Sequence, residues 1–176
     1  LKSNIIINEN NLFSFVQQEW LFGDFSSAII IDDINKNSKG FEFGLKEEIS
    51  KIFNHLYEYN YFTSIKIENK EVKIGKVKNF TAAIHGTRIW VKFSVPLLNP
   101  IDIYKKNLII SIYDPTYYIE MLHLEGEKIS IIGKNSNICN ASLIKPKPSE
   151  EAITLSKSIE LDMKPDSSVG KIFAEK

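Results

Sequence analysis

The stretch Arg88-Ile89-Trp90-Val91-Lys92-Phe93-Ser94-Val95 decides the fold. Ile89, Val91, Phe93 and Val95 alternate with Arg88, Trp90, Lys92 and Ser94, the period of two of a strand with one buried face. Gly86 separates this run from Ala82 to His85, so the two predict a hairpin, closed downstream by Pro96 and Pro100. Just upstream, Ile65 and Ile67 alternate with Lys66 and Glu68, Asn69-Lys70 can turn, and Val72 and Ile74 alternate again. That predicts a second hairpin. At the start of the chain, Ile5 to Ile7 and Leu12 to Leu21 read as a third, folded around Glu9-Asn10-Asn11.

Between these hairpins the period changes. Gly23 to Ile34 fits a short helix with Phe22, Phe25, Ala28, Ile29 and Ile31 as its buried positions, broken by the polar stretch Asn35 to Gly40. From Phe43 to Tyr59, Leu45, Ile49, Ile52, Phe53 and Leu56 follow helical spacing, and Lys46, Glu47, Ser50 and Lys51 fall towards solvent. Later, the apolar run Leu108 to Ile112 and the mixed run Ile119 to Leu124 flank Tyr113-Asp114-Pro115-Thr116-Tyr117-Tyr118. An Asp-Pro turn there predicts an antiparallel hairpin rimmed by tyrosines. Lys128 to Ile132 and Ile138 to Ile144 read as two more short strands. Pro146-Lys147-Pro148 imposes an extended connector, and Ser149 to Ser156 suits a short helix capped by Ser149. The order predicts one α+β domain over residues 1–176: a mainly antiparallel β-sandwich, with a helical pair inserted after the N-terminal hairpin at about 23–59 and mainly β structure from 61.

With 176 residues, 43% of them hydrophobic, the chain can bury one substantial core. The 22 basic and 22 acidic residues cancel and are interspersed, which argues against nucleic acid as a partner. No apolar run reaches the ~18 residues of a membrane span, and Leu1-Lys2-Ser3-Asn4 does not form a signal peptide. The chain is therefore expected to be soluble. It has no initiator Met and starts almost directly in a strand-like run, which reads as a processed or trimmed piece. The lone Cys139 suits either a reduced thiol or half of a disulfide.

Several residue types carry chemistry. A calcium loop over Asn35 to Lys46 fails, because Lys39 and Lys46 stand where carboxylates are required. His55, His85 and His123 have no ligand spacing, so only the fold could assemble them. Asp24, after Trp20, Phe22 and Gly23, can cap the first helix or hold a ligand. Asp114 can either accept N–H groups in its turn or contact a ligand. No nucleophile elbow or phosphate loop is present, and Cys139 has no adjacent base, so nothing in the sequence requires an enzyme.

Four landmarks occur in order: Trp20-Leu21-Phe22-Gly23-Asp24-Phe25-Ser26-Ser27; Glu58-Tyr59-Asn60-Tyr61-Phe62-Thr63; Phe93-Ser94-Val95-Pro96-Leu97; and Tyr113 to Tyr118. Cys139 and Gly170-Lys171-Ile172-Phe173-Ala174 follow. In these the chain resembles the bacterial domain-of-unknown-function family 1007, exported proteins described as the periplasmic component of an uncharacterised ABC-type transport system. The resemblance implies a periplasmic, non-enzymatic accessory protein of divalent metal transport, zinc or nickel, working with a membrane permease of the nickel/cobalt/zinc type. Within this chain the best candidates for that role are Asp24, His85 and Asp114 as metal contacts, and Trp20, Tyr113, Tyr117 and Tyr118 as partner or ligand contacts. The family's mature chains begin with a His-Pro-His-like segment, and this sequence starts after that point. Its Trp-x-Phe-Asp-Glu pattern stands here as Trp20, Phe22, Gly23 and Asp24, one carboxylate fewer. The family also tends to carry a Cys beyond the Phe-Ala segment, which implies a disulfide for Cys139. Two rivals are a protein-interaction module with no metal, docking through the Tyr-rich tip, and a hydrolase with Asp24 and Asp114 as paired carboxylates.

Overall fold

Asn8 starts the first turn: its Oδ1 accepts the N–H groups of Asn10 and Leu12, each at 3.0 Å, and Asn11 takes a left-handed φ of 61°. The computed structural model describes residues 1–36, 39–115 and 119–144. The turn joins β1 (Lys2–Ile7) to β2 (Phe13–Leu21) in the expected antiparallel hairpin. The second expected hairpin is small, β3 (Thr63–Ile67) with β4 (Lys70–Glu71), and Ile74 makes only a single bridge to Leu97. The deciding stretch forms β6 (Arg88–Ile101), paired with β5 (Phe80–His85) across Gly86-Thr87.

Pro96 and Pro100 do not close β6. The strand runs on to Ile101, because β2 shifts register between Phe13 and Phe15 and lets the proline-containing stretch bulge, while the Pro96 carbonyl accepts the Gly75 N–H at 2.7 Å. Along β6, Ile89, Val91, Phe93, Val95 and Leu97 are all buried, and Val16, Gln18 and Trp20 of β2 share their face.

Two helices cover part of that face. α2 (Phe41–Leu56) buries Leu45, Ile49, Phe53 and Leu56 as its spacing predicts. The short helix is α1 (Asp24–Asn35), but its buried positions are Ser27 and Ile34. Phe25 is 80% and Ile29 49% exposed, and Ala28 is exposed too, which corrects the expected face. The reason lies at the entrance to the helix. Phe22 N–H donates to Ile89 O at 2.9 Å, and the Ile89 N–H donates to Ser27 Oγ at 3.1 Å, so a small polar residue turns to the sheet and the bulky ones turn away.

The larger sheet has the order β5-β6-β2-β1-β8, with β8 (Ser130–Ile132) parallel to β1. The smaller is β4-β3-β7, in which β7 (Leu108–Ile112) pairs antiparallel with β3. One core cluster joins α2 and Trp20 to β6; a second joins Ile5, Ile7, Phe13 and Val16 of the larger sheet to Ile65 and Ile67 of the smaller. The chain is an α+β domain. Residues of both sheets meet in the second cluster, and α2 packs in the first.

The hairpin expected between 108–112 and 119–124 does not form. β7 pairs with β3, and 119–124 is irregular chain held along Leu1, whose carbonyl accepts the Leu124 N–H at 2.9 Å. Only Ser130–Ile132 of the expected strand at 128–132 is extended, and it pairs in parallel. The expected strand at 138–144 is a 3₁₀ turn, Ser136–Ile138, followed by irregular chain. The predicted helix at 149–156 lies outside the described residues, as does the tail.

A buried polar chain ties the layers. Trp20 Nε1 donates to Gln18 Oε1 at 2.9 Å, Gln18 Nε2 to Thr63 Oγ1 at 2.7 Å, and Thr63 Oγ1 to Tyr61 O at 2.9 Å. Tyr61 OH accepts the Val77 N–H at 2.9 Å. Gln18 is fully buried, so these bonds are what make its amide tolerable there. The link enters through Asn60, Tyr61 and Phe62, three successive non-glycine residues with φ of 53°, 52° and 55°. Such left-handed residues are strained singly and rare in series.

Candidate functional site

Asp24 opens α1, and its Oδ1 lies 3.8 Å from Arg88 Nε. Arg88 Nε also donates to Phe22 O at 2.6 Å, which fixes the guanidinium over the helix entrance. No side-chain cap bond forms at this helix start, so the carboxylate acts here through its charge beside the helix dipole and Arg88. With the Asp24 side chain 79% exposed, the pair is a weak surface interaction.

His85 is the cross-strand partner of Arg88, and its ring lies parallel to Trp90 with centroids 5.2 Å apart. Leu1 reaches the same place from the other side. Its backbone nitrogen donates to Leu122 O at 2.5 Å. Next to Leu122 stands His123. Its Nδ1 lies 3.3 Å from Leu124 O, and its Nε2 is buried with no hydrogen-bond partner. Asp24, His85, Arg88, Leu1 and His123 therefore share one end of the larger sheet.

The other expected site residues are placed differently. Trp20 is 6% exposed and belongs to the core, edge-on to Phe93 at 4.9 Å and stacked near Phe62 at 6.1 Å. Tyr113 is half-buried, and its N–H donates to Phe62 O at 2.9 Å. Asp114 is 4% exposed, and its Oδ2 accepts the Ile119 N–H at 2.9 Å. Tyr117 and Tyr118 lie outside the described residues. Asp24 and Asp114 sit in opposite environments, one in solvent and one inside its own loop.

Among the described residues no three His, Cys, Asp or Glu side chains come together as a metal-holding group. The Arg88 charge beside Asp24 and His85 further opposes a cation between them. Cys139 is a free thiol, half-buried against the second core cluster. No local signal shows the surroundings of His123, which are set by Leu1, far away along the chain.

Over residues 1–176 the chain matches the family described as "Protein of unknown function (DUF1007)". It belongs to that family. A Haemophilus influenzae relative, named only as an uncharacterized protein, is 27% identical over 100% of this chain and 85% of its own length. A Spirochaeta aurantia relative, an uncharacterized 15.5 kDa protein in the trpE 3' region, is 31% identical over 56% of this chain and 70% of its own. No solved structure matches.

Proposed function

We propose that the protein is a non-enzymatic, exported accessory of divalent transition-metal transport, with zinc or nickel as cargo, working in the periplasm with a membrane permease of the nickel/cobalt/zinc type. Cys139 serves in this reading as half of a periplasmic disulfide. The observation that supports it is that Asp24 and His85, and His123 beside Leu1, stand at the same end of the larger sheet. A His-rich segment entering ahead of Leu1, as the resemblance implies, would add ligands beside two imidazoles and a carboxylate that are too few alone. No helix among the described residues is long and apolar enough to cross a membrane.

Isothermal titration with zinc and nickel tests the reading. Residues 1–176 alone should bind weakly at most, and the mature protein with its N-terminal segment should bind stoichiometrically, less tightly as His123→Ala or His85→Ala. Deleting the gene should also impair growth in zinc- or nickel-limited medium and not in replete medium. Unchanged growth of the deletion strain in limited medium, together with no metal binding by the mature protein, would overturn the proposal.

A further inference from the structure

A strand that ends a sheet turns every second residue's N–H and C=O away from its neighbour, and β7 is such a strand. Its bonds to β3 run through the odd-numbered residues: Glu68 N–H donates to Asn107 O at 3.0 Å and Tyr113 N–H to Phe62 O at 2.9 Å, with an unbroken register between them. Leu108, Ile110 and Ile112 therefore point their backbone groups away from β3, and among the described residues no strand pairs with that edge. Nothing within Leu108-Ile109-Ile110-Ser111-Ile112 protects it, neither a Lys, nor a Pro, nor a bulge.

The side chains of the same strand border an unfinished rim. Leu108 and Ile110 are only partly buried against the second core cluster, and so are Ile129, Ile131 and Cys139. Shortly after Cys139 the described residues end at Leu143 and Ile144, which are 45% and 80% exposed, so residues 145–176 set out from this rim. Within them, Ile159-Glu160-Leu161-Asp162-Met163 alternates apolar with acidic residues over the length of β7, and Lys164-Pro165 stops the pattern. The later apolar run Ile172-Phe173-Ala174 does not alternate. At ~3.3 Å per residue the connector 145–158 reaches ~45 Å, enough to bring 159–163 alongside β7.

We propose that the run 159–163 adds as a strand to the outer edge of β7, with Ile159, Leu161 and Met163 over the second core cluster and Glu160 and Asp162 in solvent. The edge supplies the main-chain bonds, and the alternation puts the apolar side chains on the same face as Leu108 and Ile110. The covalent tether gives this segment a local concentration that a strand from a separate partner lacks. The smaller sheet is then four-stranded, and its exposed edge is closed by the protein's own chain.

Site-resolved amide exchange by NMR on the full chain tests this. The amides of Leu108, Ile110 and Ile112 should exchange on the order of a hundredfold more slowly than in unstructured chain, and nuclear Overhauser contacts should join them to 159–163. Leu161→Pro, which removes a ladder N–H, should release these three amides and leave those of Ile109 and Ser111, which bond to β3, protected. Ser168→Pro, outside the run, should change none of them. Fast exchange at Leu108, Ile110 and Ile112 in the wild type would overturn the proposal. Protection that survives Leu161→Pro, or that is lost on dilution as for a strand from a second copy, would overturn the tail as the occupant.

Discussion

Asp114 shows how a single carboxylate can be architectural. Buried and bonded to the Ile119 N–H, it ties the end of β7 to the chain five residues on. An amide oxygen can accept the same bond, so Asp114→Asn should be mild, and Asp114→Ala should cost about 1–2 kcal/mol of stability by leaving the N–H unmet. Thermal melts of both variants check this; equal losses would show that charge, not the bond, is what matters. Tyr61 is the second informative residue. Burial raises its phenol above the ordinary 10.0, outweighing the opposing effect of the Val77 N–H bond. A folded pKa above the unfolded one means that its stability contribution is complete below pH ~10 and is lost as pH rises through the folded value. Stability should therefore fall on alkaline titration above that point, and Tyr61→Phe should flatten the fall. Denaturant melts from neutral pH to pH ~11 measure it; an unchanged slope in the variant would put the alkaline loss elsewhere.

At the scale of elements, β8 depends on one glycine. Gly133 follows it with φ of 141°, and a Cβ there would meet the Ile7 carbonyl oxygen at 2.2 Å and its carbon at 2.9 Å. That contact is backbone against backbone and cannot be relieved by a rotamer. Gly133→Ala should therefore release β8 from β1 and destabilise the protein by about 2 kcal/mol or more. Amide exchange should rise first at Asn4 to Ile6, the parallel partners of Ser130 to Ile132. Protection of those amides in the variant would contradict the prediction. The same element shows what the sequence could reveal. Period-two runs were readable wherever one face is buried, as in β6, and so were the turns beside Asn8 and Gly86. Partners were not. The run 119–124 alternates well enough for a strand, but Leu1 holds it instead, and nothing local says so. The face of α1 was misread for a related reason: apolar residues lie all round it, and the Phe22 and Ser27 bonds to Ile89 choose the side. Asp24 and His85 were legible as residue types, but their meeting through Arg88 needed the β5–β6 register.

Across the whole molecule, the two core clusters share the inner face of the larger sheet, so the helices and the smaller sheet stand side by side on one platform. The buried line from Trp20 through Gln18 and Thr63 to Tyr61 runs where they meet, and it links the α1 end of the sheet to the loop that holds Asp114 through Phe62 and Tyr113. The parallel pairing of β1 with β8 has a consequence in time. Asn4 pairs with Ser130 far along the chain, so β1 waits with one edge bare until β8 has been made. Such a sequence separation slows closure and prolongs the interval in which a nascent chain needs a holding chaperone. The topology itself therefore holds back the last step of folding.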